Sequence, residues 1–271
     1  MNRSVITFTL FLLVSLLLGQ TTYVPDDNFE QALIDLGYDD VLDDYVITDS
    51  INTVTTLHVN NKNISDLTGI GDFTSLGRLD CEDNLLTSLD ISNNTDLYWL
   101  KCDNNSLTTL DVSGNTDLIY LYCRNNLLTT IDISSNAVLK YLIIPDNQLT
   151  SLDVSNNTVM YQIQCYNNQL TSLNLGNITS LVNLNCMSNQ LTNLDVSNNT
   201  ELNFLWFQYN QLTSLDVSNN TLLDNLSCRG NQLTSLDVSA NTALEYLSVS
   251  ENELTSLNLS TNTALTTLFC F

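Results

Sequence analysis

Positive charge is what this chain has least of. Seven Lys plus Arg stand against 30 Asp plus Glu, a formal net charge of -23 over 271 residues. Nucleic acid is bound through a basic footprint, so it is excluded as a partner, and an anionic membrane surface is excluded with it. Proline occurs twice and glycine eight times, too seldom for a disordered linker or a collagen-like chain. His58 is the single histidine, and the sequence holds no Gly-rich phosphate loop, nucleophile elbow or His-containing metal motif. Carboxylates are plentiful but recur on a flat, repeated surface instead of facing each other across a cleft, as glycoside hydrolysis requires. Neither enzyme activity nor a cofactor is expected.

What is present is repetition. Gln211-Leu-Thr-Ser-Leu-Asp-Val-Ser-Asn-Asn-Thr221 recurs nearly unchanged 21 residues earlier, from Gln190, and 21 later, from Gln232. Units of this length begin at Leu76, Leu97, Leu118, Leu139, Met160, Leu181, Leu202, Leu223 and Leu244. They form nine full repeats over 76–264, and an incomplete tenth covers 265–271. Residues 54–75 are an irregular opening repeat whose Leu57, Val59, Ile64, Leu67 and Ile70 run one residue out of step. A fixed period of this size means a solenoid, in which each unit buries its apolar face only against its neighbours.

Each unit reads L-x-x-L-x-C-x-x-N-x-L-T-x-L-D-V-x-x-N-T-x. The first eleven positions match the hallmark segment of the leucine-rich repeat family, and the chain resembles that family from about Val54 to Phe271. It is most similar to the bacterial 21-residue nested (IRREKO-type) subclass. The N-terminal segment resembles that of secreted leucine-rich repeat proteins of Bacteroidetes type. The nesting is visible in the residues: Leu79-x-Cys81-x-x-Asn84 is echoed ten residues later by Leu89-x-Ile91-x-x-Asn94. Alternation in each half-coil points Leu79 and Cys81, then Leu89 and Ile91, inward. The expected fold is a β-rich solenoid with two parallel sheets of short strands and little helix apart from an N-terminal cap.

Seven cysteines in an exported chain would ordinarily mean disulfides. Here Cys81, Cys102, Cys123, Cys165, Cys186, Cys228 and Cys270 share one phase of the period with Ile144, Phe207 and Val249. A slot open to Ile, Phe and Val is a core slot, in which Cys acts as a small hydrophobe. Two asparagine columns, from Asn84 and from Asn94 (the second broken by Ile178), fit turns whose amides satisfy backbone groups, and stacking could join such amides into ladders.

The N-terminus carries Arg3, an apolar run from Val5 to Leu18 and a polar stretch from Gln20, which reads as a secretory signal peptide over residues 1–20. An uncleaved anchor is the alternative. Residues 21–53 form a cap. Pro25-Asp26-Asp27 precedes Phe29, Ala32, Leu33 and Leu36 at helical spacing before Gly37, which predicts a helix from about Asp26 to Leu36. The acidic segment from Asp39 to Asp49 reads as a solvated cap surface. The array ends on core-phase residues with no polar capping repeat, so a truncation or a partner-covered end is expected there.

Within one chain the repeats can be compared with one another. The second half of each unit is nearly constant, and the first half varies everywhere except its core positions and its Asn. Its outward columns hold both tryptophans and most tyrosines of the array, with Arg78, Lys101, Arg124 and Arg229. Outward aromatics and Arg are typical of interface hot spots. The candidate ligand-binding face is therefore Trp99, Tyr120, Tyr122, Tyr141, Tyr166, Phe204 and Trp206. The alternative is that cross-strand aromatic pairs only stabilise the sheet. On the constant side, Asp90, Asp111, Asp132 and Asp153, then Asp195, Asp216 and Asp237, form a stripe expected to bind calcium weakly at most. The expected function is a secreted or cell-surface, internalin-like binding or adhesion module for a protein, peptide or glycan, with no stable membrane insertion after signal cleavage. The alternatives are a structural surface-assembly protein or a fragment of a larger secreted protein.

Overall fold

The computed structural model describes residues 19–270. The signal peptide expected over residues 1–20 lies, except for Gly19 and Gln20, outside the described residues. The chain is a parallel-strand β-solenoid of about ten turns with little helix. Among the described residues no helix is long and apolar enough to cross a membrane.

The cap comes first. Strand β1 (Thr21–Tyr23) pairs antiparallel with β2 (Tyr45–Ile47), and helix α1 (Asp27–Asp35) lies between them in sequence, with the short α2 (Thr48–Ile51) after. Asp26, the predicted start, is the N-cap, and the helix begins one residue later. Its Oδ1 accepts from the N–H groups of Asn28 and Phe29, both at 3.0 Å. Its Oδ2 accepts from Ser65 N, Ser65 Oγ and Asp66 N at 2.8, 2.7 and 3.0 Å. One carboxylate thus starts the helix and ties it to the opening repeat. Burial works against the charge, but these donors outweigh it and hold Asp26 below the usual carboxylate range. Phe29, Ala32 and Leu33 bury the helix's apolar stripe, with Phe29 6.4 Å from Phe73 between ring centroids. The acidic segment is pinned from within: Oε1 of the fully buried Glu30 accepts from Asp43 N and Tyr45 N.

The main sheet has eleven parallel strands of three residues each: β3 (Thr56–His58), β4 (Arg78–Asp80), β5 (Trp99–Lys101), β6 (Tyr120–Tyr122), β7 (Tyr141–Ile143), β9 (Gln162–Gln164), β11 (Asn183–Asn185), β12 (Phe204–Trp206), β13 (Asn225–Ser227), β14 (Tyr246–Ser248) and β15 (Thr267–Phe269). Leu57 pairs with Leu79 and Leu79 with Leu100, so the opening coil is one residue longer than the rest. The leucine at the centre of β4 to β14 (isoleucine in β9) is fully buried. After each strand one residue turns left-handed: Asp83, Asn104, Asn125, Asp146, Asn167, Ser188, Tyr209, Gly230 and Glu251 have φ from 51° to 66°. Asn and Asp tolerate that region best, and the column uses one or the other five times.

The second sheet is the main departure from the sequence reading. It exists only as β8 (Ser151–Asp153) paired in parallel with β10 (Ser172–Asn174). The constant half-coils are otherwise turns. Their Asp residues capture the backbone N–H two residues on, as in Asp90 to Ser92 at 3.0 Å and Asp132 to Ser134 at 2.9 Å, and Asp153 does the same to Ser155 at 2.9 Å at the end of β8. Where pairing occurs, Asn174 takes the Asp position, and its amide donates to Asp153 Oδ1 across the coils at 3.1 Å.

The asparagine columns do not bond mainly to each other. Asn147 is representative of the first. Its Nδ2 donates to Cys123 O in the preceding coil and to Ile144 O and Pro145 O in its own, while its Oδ1 accepts from Leu128 N. In the second column Asn136 donates to Val112 O and Asn115 O, and its buried Oδ1 has no partner. A direct side-chain ladder runs instead along the left-handed turns: Asn104 to Asp83, Asn125 to Asn104, Asn167 to Asp146.

Six of the cysteines are buried free thiols, and burial pushes those of Cys165 and Cys228 up to about 12. Cys270 departs from expectation. It is exposed, because among the described residues no further coil stacks over it.

Candidate functional site

The outward columns have the register that the repeat predicts. Arg78, Trp99, Tyr120, Tyr141 and Gln162 are successive partners across β4 to β9, beside Asp80, Lys101, Tyr122, Ile143 and Gln164. Adjacent parallel strands lie about 4.8 Å apart, which brings neighbouring rings into contact. Tyr120 stacks on Tyr141 at 4.7 Å and 9°, and Trp99 meets Tyr122 at 5.8 Å. Four of the candidate residues thus pair off within one patch. Phe204 and Trp206 form a second patch at 4.4 Å, where Trp206 Nε1 donates to Asn225 Oδ1 at 2.7 Å. Tyr166 is half-buried in the third column, two coils beyond Tyr122.

Every candidate ring is half-buried by its neighbours and not fully exposed. Of the more exposed aromatics in the coils, Tyr98, Tyr161 and Tyr209 lie outside the three outward columns, and Phe269 lies within them beside Ser248. Strict alternation assigns the first two to the strand's approach and the third to its turn. Tyr161 nonetheless packs on Tyr141 at 5.7 Å and extends that patch. Its step of 63 residues, three periods, from Tyr98 was the available signal.

The cations of this face are not free. The Arg78 guanidinium lies 3.9 Å from the centroid of the Trp99 ring. Lys101 pairs with Glu82 at 2.5 Å, Arg124 with Asp146 at 3.1 Å and Arg229 with Glu251 at 2.6 Å. Burial alone would lower the Lys101 ammonium, but its bond to Glu82 prevails and raises it. Two carboxylates expected to point outward are covered, Asp80 at 9% and Asp103 at 8% exposure. Burial pushes Asp103 up to about 6, although its Oδ1 accepts from Arg124 N at 2.6 Å.

The Asp stripe lies on the other side of the coil. The hydroxyls and N–H groups of the following serines keep its carboxyls below the usual range, and repulsion between neighbouring Asp residues is the lesser effect. Among the described residues, no three His, Cys, Asp or Glu side chains are grouped to hold a metal ion. The calcium reading therefore has no site behind it: the oxygens that would bind the ion already serve backbone turns. A cleft of about 410 Å3 is remote from the aromatic rows. It lies where the cap meets the first coils, lined by Asp66, Asp72 and Asp90 among others.

This geometry is that of a parallel β-solenoid with one aromatic face, on which Lys101, Arg124 and Arg229 are salt-bridged. No family model matches the chain. Internalin J of Listeria monocytogenes serotype 4b (strain F2365) is 42% identical over 81 residues, 28% of this chain and 9% of that protein. A solved functional domain of InlJ from Listeria monocytogenes, described as including a cysteine ladder, superposes with a TM-score of 0.88 at 42% identity, covering 93% of this chain and 57% of that one. A leucine-rich repeat protein of Leptospira interrogans superposes at 0.66 with 25% identity, over 82% of this chain and 67% of that one. The LRIM1/APL1C complex shares the fold alone, at 22% identity and a TM-score of 0.63, over 82% of this chain and 48% of that one. These neighbours support the leucine-rich repeat family and an internalin-like fold. The chain spans less than a tenth of the curated relative and just over half of the solved InlJ domain.

Proposed function

We propose that this chain is a non-enzymatic, secreted or cell-surface recognition module of the 21-residue nested subclass seen in secreted bacterial proteins. Residues 1–20 are its removed leader, 21–53 its cap and 54–271 its solenoid. Its partner is a protein or peptide that docks across Trp99, Tyr120, Tyr122, Tyr141 and Tyr166, with Phe204 and Trp206 as a second contact.

The aromatic patch, in which Lys101 and Arg124 are already salt-bridged, carries this reading. Docking leaves neither of these two cations without a counter-ion, the usual penalty at polar interfaces, and the Arg78 guanidinium lies over the Trp99 ring. Half-buried rings held by their neighbours lose little side-chain freedom on binding, which favours affinity. The same variation that makes the strand face differ from coil to coil lets one rod be specific for one partner.

The test is the triple substitution Trp99→Ser, Tyr122→Ser, Trp206→Ser, read against protein and peptide arrays probed with the mature chain. Recognition predicts lost binding with an unchanged circular dichroism spectrum. Lost stability or lost self-assembly, with no ligand found for the parent, would mean that the rings are structural. Mass analysis of the exported protein tests the leader, with a mature N-terminus near Thr21 expected.

A further inference from the structure

The strand face changes character along its length. Toward the N-terminus its rings are mixed with charged residues. Beyond β9 amides and hydroxyls enter the outward columns at Asn183, Asn185, Asn225, Ser227 and Ser248, between the rings of Phe204, Trp206 and Tyr246. Within this half lies a groove of about 230 Å3. Its walls are the rings of Tyr209, Tyr246 and Phe269, the last two 5.8 Å apart at 51°. Gln208, Ser227 and Ser248 supply polar lining.

Tyr209 is the notable residue. It occupies the left-handed turn position at φ 55°, a conformation costly for a bulky side chain and informative when it persists. Three other coils place Asn there, Asn104, Asn125 and Asn167, at φ 51° to 53°. The next coil has Gly230, where a Cβ would come within 2.6 Å of the Tyr209 ring. A strained tyrosine and an absent side chain together hold one ring, 46% exposed, against the groove.

We infer that this groove is a second binding site, for an uncharged saccharide. Arg229 is the one charged residue lining it, and its guanidinium is already bonded to Glu251 at 2.6 Å. An anionic ligand finds no free cation lining the groove, and a cationic one meets Arg229, which lies 5.6 Å from the Tyr209 ring centroid. An apolar side chain would fill the space but leave the buried Gln208 Oε1, which accepts no hydrogen bond within the protein, still unpaired. A sugar ring answers both needs. Its C–H edges meet the electron-rich ring faces, and its hydroxyls donate to the Gln208 oxygen and exchange bonds with the serines. The volume is below the roughly 300 Å3 at which sites for drug-sized ligands begin, which limits the occupant to about one ring of a longer glycan.

The full chain would be tested on an array of neutral oligosaccharides of glucose, mannose, galactose, N-acetylglucosamine and N-acetylgalactosamine, with uronate and sulfated oligosaccharides beside them. At least one neutral class should bind, insensitive to added salt, and the charged sets should not. Tyr209→Asn, which installs the side chain the other coils use, should melt at or above the parent yet lose binding about tenfold, the scale of one aromatic contact. Phe269→Ser should lose a similar factor. Trp99→Ser with Tyr122→Ser should leave saccharide binding unchanged, which separates this site from the proposed protein-binding patch. No binding by any neutral oligosaccharide would overturn the assignment, as would equal binding of charged ones or full affinity in Tyr209→Asn.

Discussion

In the coil that begins at Leu118, Tyr120–Tyr122 is hydrogen-bonded to a strand on each side. Ten residues on, the stretch from Ile131 to Asn136 makes no such ladder. There Asp132 captures Ser134 N, and Asn136 reaches back to Val112 O and Asn115 O. The varied half of the coil is therefore held by backbone pairing, which is indifferent to what the outward side chains are. The constant half is held by particular side chains, and so it cannot vary. Freedom to differ and freedom to bind fall on the same side of the rod for that reason.

Removing one asparagine from each half breaks this comparison most sharply. Asn147→Ala deletes three donated bonds and one accepted bond spanning two coils. It should cost roughly 3–5 kcal/mol, since buried carbonyls and an N–H are left unpaired. Asn136→Ala deletes two donated bonds and relieves an oxygen that already lacks a partner, so roughly 1–2 kcal/mol is expected. Urea denaturation of both variants gives the ratio. Equal losses would mean that the two columns do the same work.

A smaller effect, of opposite sign to most carboxylates, comes from the varied half. Asp103 ordinarily titrates at 3.8 and is pushed to about 6 by burial. Because the folded value is the higher one, protonation stabilises the fold: the contribution is complete below 3.8 and is lost as the pH rises through 6. Acidification from about pH 7 to about pH 5 should raise stability by at most ~1.3 kcal/mol through this residue. Thermal melts across that range should show the rise in the parent and none in Asp103→Asn. A parent whose stability falls over the same window would contradict the burial argument.

How much of this was legible beforehand follows the same division. The period, the strand register and the aromatic pairs Tyr120–Tyr141 and Trp99–Tyr122 follow from which positions repeat and which alternate. The helix followed from Asp26 and the spacing of Phe29, Ala32 and Leu33. What escaped depended on side chains answering to backbone. The Asp residues that look like strand positions instead close turns onto the serine N–H two residues on, which alternation does not show. The burial of Asp80 and Asp103 depends on neighbouring coils, which a column of letters does not show. Tyr209 was hidden because its position belongs to a turn, where alternation says nothing about direction.

The smallest effect expected is on the stripe itself. Asp132→Asn keeps the oxygen that accepts from Ser134 N and removes the charge facing Asp111. At neutral pH the change in melting temperature should be too small to resolve, because an exposed like-charge pair is screened by water and salt. Its effect should appear only in acid. Hydrogen bonds from Ser134 hold the Asp132 carboxyl below its ordinary 3.8, so its contribution is present above that value and is lost as the pH falls through the lower folded one. The Asn variant should therefore lose slightly less stability than the parent below about pH 4, and added calcium should shift neither melt. A loss at neutral pH as large as that of Asn136→Ala would make the carboxylate charge, and not the turn it closes, the reason these positions stay constant.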